Sequence, residues 1–199
     1  MQKPMPEKNY FVHPTAEVAN DAVIGPGSYI WHQCQVMPAS RIGANCKLGK
    51  SVYVDFGVQI GDRVKIQNGV SVYKGVTVED DVLLGPHMAF TNDLYPRAFN
   101  DSYEVVPTLV KKGSSVGANA TIVCGVNLGN YCMVGAGAVV TTDVPDYALV
   151  VGNPANVVGY VCECGKRLNL DHRMRKDREV KCDSCGKQFR IAPGMLSVI

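Results

Sequence analysis

The sequence predicts an all-β protein whose body is a parallel β-helix, carrying one ejected loop and ending in a small cysteine-rich module. Three observations lead there. First, an apolar residue recurs at every sixth position from Val12 through Ile30, Ile42, Ile60 and Leu84 to Phe90, and again from Val116 through Ile122 and Leu128 to Val140. Second, four residues after each of these stands a small or β-branched residue, as in Ala22, Ser28, Cys34, Ser40, Cys46 and Val52. No α-helix and no simple alternating strand has a period of six. Three short parallel strands per turn, about eighteen residues per coil with an aliphatic at each inside corner, do. Third, the pattern has one long break, TNDLYPRAFNDSYEVVPTLVKKGSS.

Taken in order, residues 1–11 form a polar, proline-broken lead-in with no apolar stretch of signal-peptide type. Residues 12–158 form the β-helix, with four to five coils before the break and almost two after it. Glycine repeatedly follows the corner aliphatic (IGPG, IGAN, IGDR, LGPH, VGAN), which suggests tight corners at positive φ. Residues 91–115 are expected to leave the solenoid as a loop, and a long loop ejected from a repeat scaffold is where function concentrates. The repeat then fades into DVPDYALVVGNPANVVGY, an irregular exit.

Residues 159–199 form the second module. Cys162 with Cys164, and Cys182 with Cys185, are each followed by Gly-Lys. The glycine frees backbone N–H groups to point at thiolate sulfur, and two such knuckles facing each other supply four thiolates. That is a zinc-ribbon pattern with a structural zinc, although the first pair is C-x-C rather than C-x-x-C. So short a polar module gains stability from a metal. An iron–sulfur cluster is a second possible occupant of the same cysteines. The other cysteines fit differently: Cys34, Cys46 and Cys132 occupy the inward small-residue slot, Cys124 an adjacent strand, and all four suit buried, inert positions.

Bulk properties exclude several classes. A net charge of +2 gives no whole-protein attraction to nucleic acid or membrane. No apolar run has the length of a membrane span. A cytoplasmic location is expected, with thiols reduced or metal-bound rather than in disulfides.

The segments IWHQCQVMPASRIG, KIQNGVSVYKGVTVEDDVLLGPHMAFTNDLYPRA, VKKGSSVGANATIVCGVNLG and VGAGAVVTTDVPDYALVVGNPA make the resemblance specific. They resemble the hexapeptide-repeat acetyltransferases with a left-handed parallel β-helix, and within them the enzymes that acetylate a C3 amino group on UDP- or dTDP-linked sugars. The resemblance implies an acetyl-CoA-dependent N-acetyltransferase of surface polysaccharide (lipopolysaccharide) synthesis, working as a homotrimer with each site between subunits. It places Asn92 beside the reacting amine, where the side-chain carbonyl accepts a hydrogen bond and aims the nitrogen lone pair. Other family members use a histidine in this loop; here the loop has none, and His87 just upstream is either a surface corner residue or an auxiliary base. His32, Gln67 and Asn68 are candidates for the sugar-nucleotide site, Asn68 being equally suited to an asparagine ladder within the coils. Arg97 can pair with a diphosphate or sugar carboxylate, or anchor the loop through Asp101 or Glu104. Backbone amides at Gly117, Ala118, Gly135 and Ala136 are implied to hold CoA, with Lys111 and Lys112 near its phosphates. One departure is Asn156 after GNPA, where the family often has a basic residue.

Other functional classes fit less well. A carbonic-anhydrase-type metal site would need His13, His32 and His87 to converge, at spacings that do not suit it. A nucleic-acid or protein-binding ribbon would use Lys166, Arg167, Arg173, Arg175, Lys176 and Arg178, but Asp171, Asp177 and Glu179 alternate with them. A non-catalytic trimeric scaffold remains as the third alternative.

Overall fold

The computed structural model describes residues 9–100, 102, 104–170, 178–192 and 195–199. The lead-in before residue 9 lies outside them, as do Asp101, His172, Arg173, Arg175 and Lys176. The hexad pattern builds a triangular solenoid of three parallel sheets. Its first face stacks Phe11–Val12, Tyr29–Ile30, Lys47–Leu48, Lys65–Ile66, Leu83–Leu84, Ser115–Val116, Met133–Val134 and Ala148–Val151. The second face runs from Glu17–Val18 to Val139–Val140, and the third from Val23–Ile24 to Asn127–Leu128. Most strands have two residues, so little is gained within a strand. The order comes from coil-to-coil hydrogen bonds such as Trp31 N–H to the Leu48 carbonyl at 3.0 Å and Gln67 N–H to Leu84 at 2.9 Å. Every second strand residue points inward, and Ile30, Leu48, Ile66 and Leu84 from the first face meet Ile122 from the second and Ile42 and Leu128 from the third in a fully buried core.

The small-residue slot has a polar duty beyond packing. Ser28 Oγ donates to the Gly43 carbonyl at 2.8 Å, Cys34 Sγ to Gly49 at 2.9 Å and Cys46 Sγ to Gly61 at 3.1 Å. Cys124 and Cys132 are buried as well. Burial raises the thiol pKa of Cys34 and Cys46, and pushes that of Cys132 up to about 12. These thiols therefore stay protonated and unreactive. We expect Cys34, Cys46 and Cys132 to escape iodoacetamide in the native protein and to react fully in denaturant, as read by peptide mass spectrometry; native alkylation of any of them would contradict the closed core.

The corner glycines work differently from the expectation. Positive φ falls two residues after the glycine of the IG, LG and VG pairs, and at most of them a non-glycine residue occupies it, among them Asn45, Ser51, Arg63, His87 and Tyr131. The IG glycines are needed because adjacent coils nearly touch. A Cβ on Gly43 would stand 2.5 Å from the Gly61 carbonyl oxygen, and one on Gly117 2.5 Å from the Ala136 nitrogen. Gly57, by contrast, has φ +70° and open space around it. Gly43→Ala should accordingly destabilise by about 2–3 kcal/mol through overpacking, against about 1 kcal/mol of αL strain for Gly57→Ala. Equal melting temperatures of the two variants would refute this account.

The break in the repeat is shorter than residues 91–115. Thr108–Val110 already pairs with Val76–Val78 on the third face, so the excursion covers 91–107. Coil register is eighteen before it, as for Val54 and Val72, and thirty-two across it, as for Phe90 and Ile122, an insertion of fourteen residues.

After the last coil, Asn156–Tyr160 pairs antiparallel with Ala148–Val151 and leads into the cysteine module. There Arg178–Lys181, Gln188–Ala192 and Met195–Val198 form an antiparallel sheet. The module is docked on the solenoid's end: Phe189 is fully buried, its ring set edge-on to Tyr147 at 5.4 Å. Tyr147 Oη donates to Glu163 at 3.3 Å, and Lys187 Nζ reaches the same carboxylate at 2.5 Å.

Candidate active site

The corner between the first and second faces gathers most of the nominated residues into one column. Ser51 N–H bonds to the His32 carbonyl (2.9 Å), Gly69 to Lys50 (2.9 Å), His87 to Asn68 (3.0 Å), Asn119 to Pro86 (3.0 Å) and Gly137 to Ala118 (2.8 Å). His32, Asn68, His87, Ala118 and Ala136 thus climb one edge of the prism, with Gln67, Gly117 and Gly135 each one residue before a corner. Coils are about 4.8 Å apart, so His32 and Ala136 are separated by roughly 24 Å along the axis.

At the lower end of this column lies an open groove of about 380 Å³, lined by Trp31, His32, Lys47, Lys50, Lys65, Gln67 and Asn68. The Asn68 side-chain carbonyl accepts the Lys50 N–H at 2.8 Å, which is the ladder role; among the described residues none bonds its amide NH₂. His32 stacks on His13 with ring centroids 3.6 Å apart, and Thr15 N–H donates to His13 Nδ1 at 3.2 Å. Loss of water from its ring, and secondarily the charge of His32, lower the His13 pKa. The sequence reading gave His13 no role. The lysines of the groove were missed as well, although Lys47 and Lys65 stand one coil length apart.

Asn92 sits elsewhere, at the corner between the second and third faces. Val106 N–H donates to its backbone carbonyl at 3.0 Å and closes the neck of the loop. Cys124 N–H bonds Thr91 Oγ1 at 2.9 Å and fixes the residue before it. Among the described residues none hydrogen-bonds the Asn92 side-chain amide. His87 and Asn92 lie at opposite ends of Ala89–Phe90, roughly 15 Å apart for five nearly extended residues. Within one chain the structure therefore does not bring them together, nor Asn68 with Asn92. Arg97 donates to the Pro96 carbonyl at 2.8 Å and pairs with no described carboxylate. Lys112 lies at the third corner beside Glu79 and Asp80, away from Gly117 and Gly135. Asn156 donates to the Pro154 carbonyl at 2.9 Å. His87 stands three coils beyond His32, so the three solenoid histidines do not converge.

The four module cysteines do converge. The Sγ atoms of Cys162, Cys164, Cys182 and Cys185 all lie within 4.8 Å of one another. Cys162 and Cys185 are 3.4 Å apart and Cys164 and Cys182 3.7 Å, too far for disulfides at about 2.05 Å. A tetrahedral ion with bonds of about 2.3 Å to sulfur sets its ligands about 3.8 Å apart, so the donor set fits zinc. Backbone N–H groups of Cys185 and Ser184 directed at Cys182 lower its thiol pKa to about 7.

Comparison with known proteins agrees with this architecture. The family described as "Hexapeptide repeat of succinyl-transferase" matches residues 40–74 and 109–142, and "Bacterial transferase hexapeptide (six repeats)" matches residues 21–55. The chain is 44% identical over 187 residues, 94% of each chain, to dTDP-3-amino-3,6-dideoxy-alpha-D-galactopyranose 3-N-acetyltransferase of Aneurinibacillus thermoaerophilus. The chain belongs to the hexapeptide-repeat acetyltransferases. An alignment that leaves about a dozen residues uncovered also extends into the cysteine module of this acetyltransferase. Among solved structures, it resembles a hexapeptide-repeat acetyltransferase of Vibrio cholerae O1 biovar eltor complexed with acetyl coenzyme A, at TM-score 0.55 and 29% identity, covering 61% of this chain and 70% of that one. It also resembles a mutant GDP-perosamine N-acetyltransferase of Caulobacter crescentus in complex with CoA and GDP-perosamine, at TM-score 0.52 and 25% identity. There the match covers 74% of this chain but about half (55%) of the other. Among the described residues, no helix is long and apolar enough to cross a membrane.

Proposed function

We propose that the protein transfers the acetyl group of acetyl-CoA to the amine, at C3, of a dTDP- or UDP-linked amino sugar, yielding an acetamido sugar for surface polysaccharide. The observation that carries this is the 44% identity over nearly the whole chain to a dTDP-3-amino-3,6-dideoxy-galactose N-acetyltransferase; an open groove beside His32 and Asn68 and an Asn92 amide that bonds no described residue support it. The amine nitrogen attacks the thioester carbonyl carbon. The C–S bond then breaks, and the leaving thiolate takes up the proton released by the amine. Asn92 needs no basicity for this. Its carbonyl accepts one N–H of the amine and turns the lone pair toward the thioester, a positioning effect. Of the four residues nominated to hold CoA, Ala118 and Ala136 keep backbone N–H groups for it, whereas those of Gly117 and Gly135 donate to the Val134 and Val150 carbonyls.

The active form is a homotrimer in this reading. Asn92 and the column of His32, Asn68 and His87 occupy different corners of one prism, so they complete a site only across two copies. The exposure of Tyr95 and Phe99, at 81% and 83%, on the arm that bears Asn92 supports such a contact. The module carries a structural zinc on Cys162, Cys164, Cys182 and Cys185. The test is CoA thiol release from acetyl-CoA with dTDP- and UDP-linked sugars bearing the amine at C3 or at C4. Turnover confined to a C3-amino substrate is expected; absence of turnover with every substrate would refute the assignment.

A further inference from the structure

The outer side chains of the first face form a sequence along the solenoid axis. Phe11 pairs in register with Tyr29, Tyr29 with Lys47, Lys47 with Lys65, and Lys65 with Leu83. The first part of this strip is aromatic. Phe11 and Trp31 have ring centroids 5.5 Å apart, Tyr29 and Trp31 lie nearly parallel at 19°, and Trp31 and His32 at 7°. Trp31 remains 40% exposed and borders the groove. Such a flat, half-exposed ring surface takes a stacked base irrespective of its hydrogen-bonding edge.

The next part is cationic. Lys47 and Lys65 face each other on adjacent parallel strands, a like-charge pair that costs stability. Lys50 adds a third ammonium at the groove's corner. None of the three is ion-paired with a described residue, and no carboxylate lines this groove. A second groove of about 420 Å³, at the third corner, makes the contrast: Glu79 and Asp80 line it beside Lys112, so it repels anions. A chain with a net charge of only +2 thus concentrates three unpaired ammonium groups beside its aromatic strip.

From this order we infer that the groove is the nucleoside-diphosphate subsite, with the base on Trp31 and the diphosphate on Lys47, Lys50 and Lys65. The inference rests on the proposed function and adds direction to it. At about 4.8 Å per coil, the base lies near the first coils, the phosphates one to two coils on, and the sugar beside Asn68 and His87. The sugar then meets the CoA amides from the side away from the base. The three lysines act as point charges, so binding weakens with salt.

Trp31 is the chain's single tryptophan and reports directly on this site. Titration with dTDP, and separately with UDP, is expected to quench its fluorescence saturably. Lys47→Ala/Lys65→Ala should weaken that binding about tenfold or more, since each exposed charge contact contributes a few-fold. Trp31→Ala should weaken dTDP binding, measured by calorimetry, about 5- to 150-fold, as loss of one stacking surface does. Both changes should leave the acetyl-CoA affinity intact, which also verifies folding. Unquenched fluorescence with both nucleotides, or unchanged nucleotide affinity in the lysine variant, would overturn the assignment. An enzyme that acetylates a nucleotide sugar with unaltered KM in these variants retains the proposed function and loses this subsite. Quenching and lysine dependence without acetyl transfer would retain the subsite and remove the function.

Discussion

Asn92→Ala lowers kcat on the order of 100-fold, the scale expected when a reacting amine loses its alignment but keeps its binding site. KM for both substrates and the oligomeric state should change little, because the backbone carbonyl of Asn92, not its side chain, closes the loop neck with Val106. Steady-state kinetics with thiol detection, combined with sedimentation, measures all three. The reading assigns alignment and no proton transfer to Asn92, so Asn92→Asp should also be impaired, and its residual rate should not recover at high pH. Full turnover in Asn92→Ala would transfer the chemistry to His87 of an adjoining copy, and His87→Ala would then show the larger loss.

Removal of the zinc proposed for the cysteine module has the largest expected effect on stability. Structural zinc in small finger peptides contributes about 10–16 kcal/mol of binding free energy at neutral pH, and among the described residues the module buries only a few large apolar side chains, such as Leu168, Leu170 and Phe189. Two of its contacts, buried Phe189 on Tyr147 and the partly exposed Glu163 between Tyr147 and Lys187, are shared with the last coil. Chelation should therefore free Cys162, Cys164, Cys182 and Cys185 for alkylation, accelerate amide exchange from Ala148 to Tyr160, and lower the melting midpoint on the order of 10 °C. Elemental analysis should give one zinc per chain. Protein purified without chelator that contains no metal, yet shows the same melting midpoint, would contradict the proposal.

The hexads of aliphatic residues made the solenoid legible because burial is decided by one inward position in six, and that position carries a strong compositional signal. The cysteine cluster was legible for a similar reason: two glycine-backed pairs leave few other arrangements. Corner chemistry was harder to read. The period shows that Asn68 and Asn92 are one coil and one strand apart, but a strand's advance moves a residue to another vertex of a triangle, so nearness in sequence phase became separation in space. His13 and His32 show the reverse, since their nineteen-residue offset hides a stacking that needs the neighbouring corner positions to lean together. Lys47 and Lys65 satisfied the period without marking themselves, because outward positions tolerate almost any residue. The glycines were legible as necessary and misread as to cause: adjacent coils approach too closely for a side chain, while the backbone turns two residues later.

The fourteen-residue insertion between Phe90 and Val110 has a consequence for how such a chain can change. It enters and leaves at the same phase of the repeat, so its removal restores an uninterrupted eighteen-residue winding. On the proposed reading, the winding of the solenoid and the alignment of the acceptor amine by Asn92 are therefore written in separable parts of the same polypeptide. The arm can lengthen, shorten or be exchanged like a tool in a chuck, and on that reading a prism stripped of it keeps its winding and loses the residue that aligns the amine.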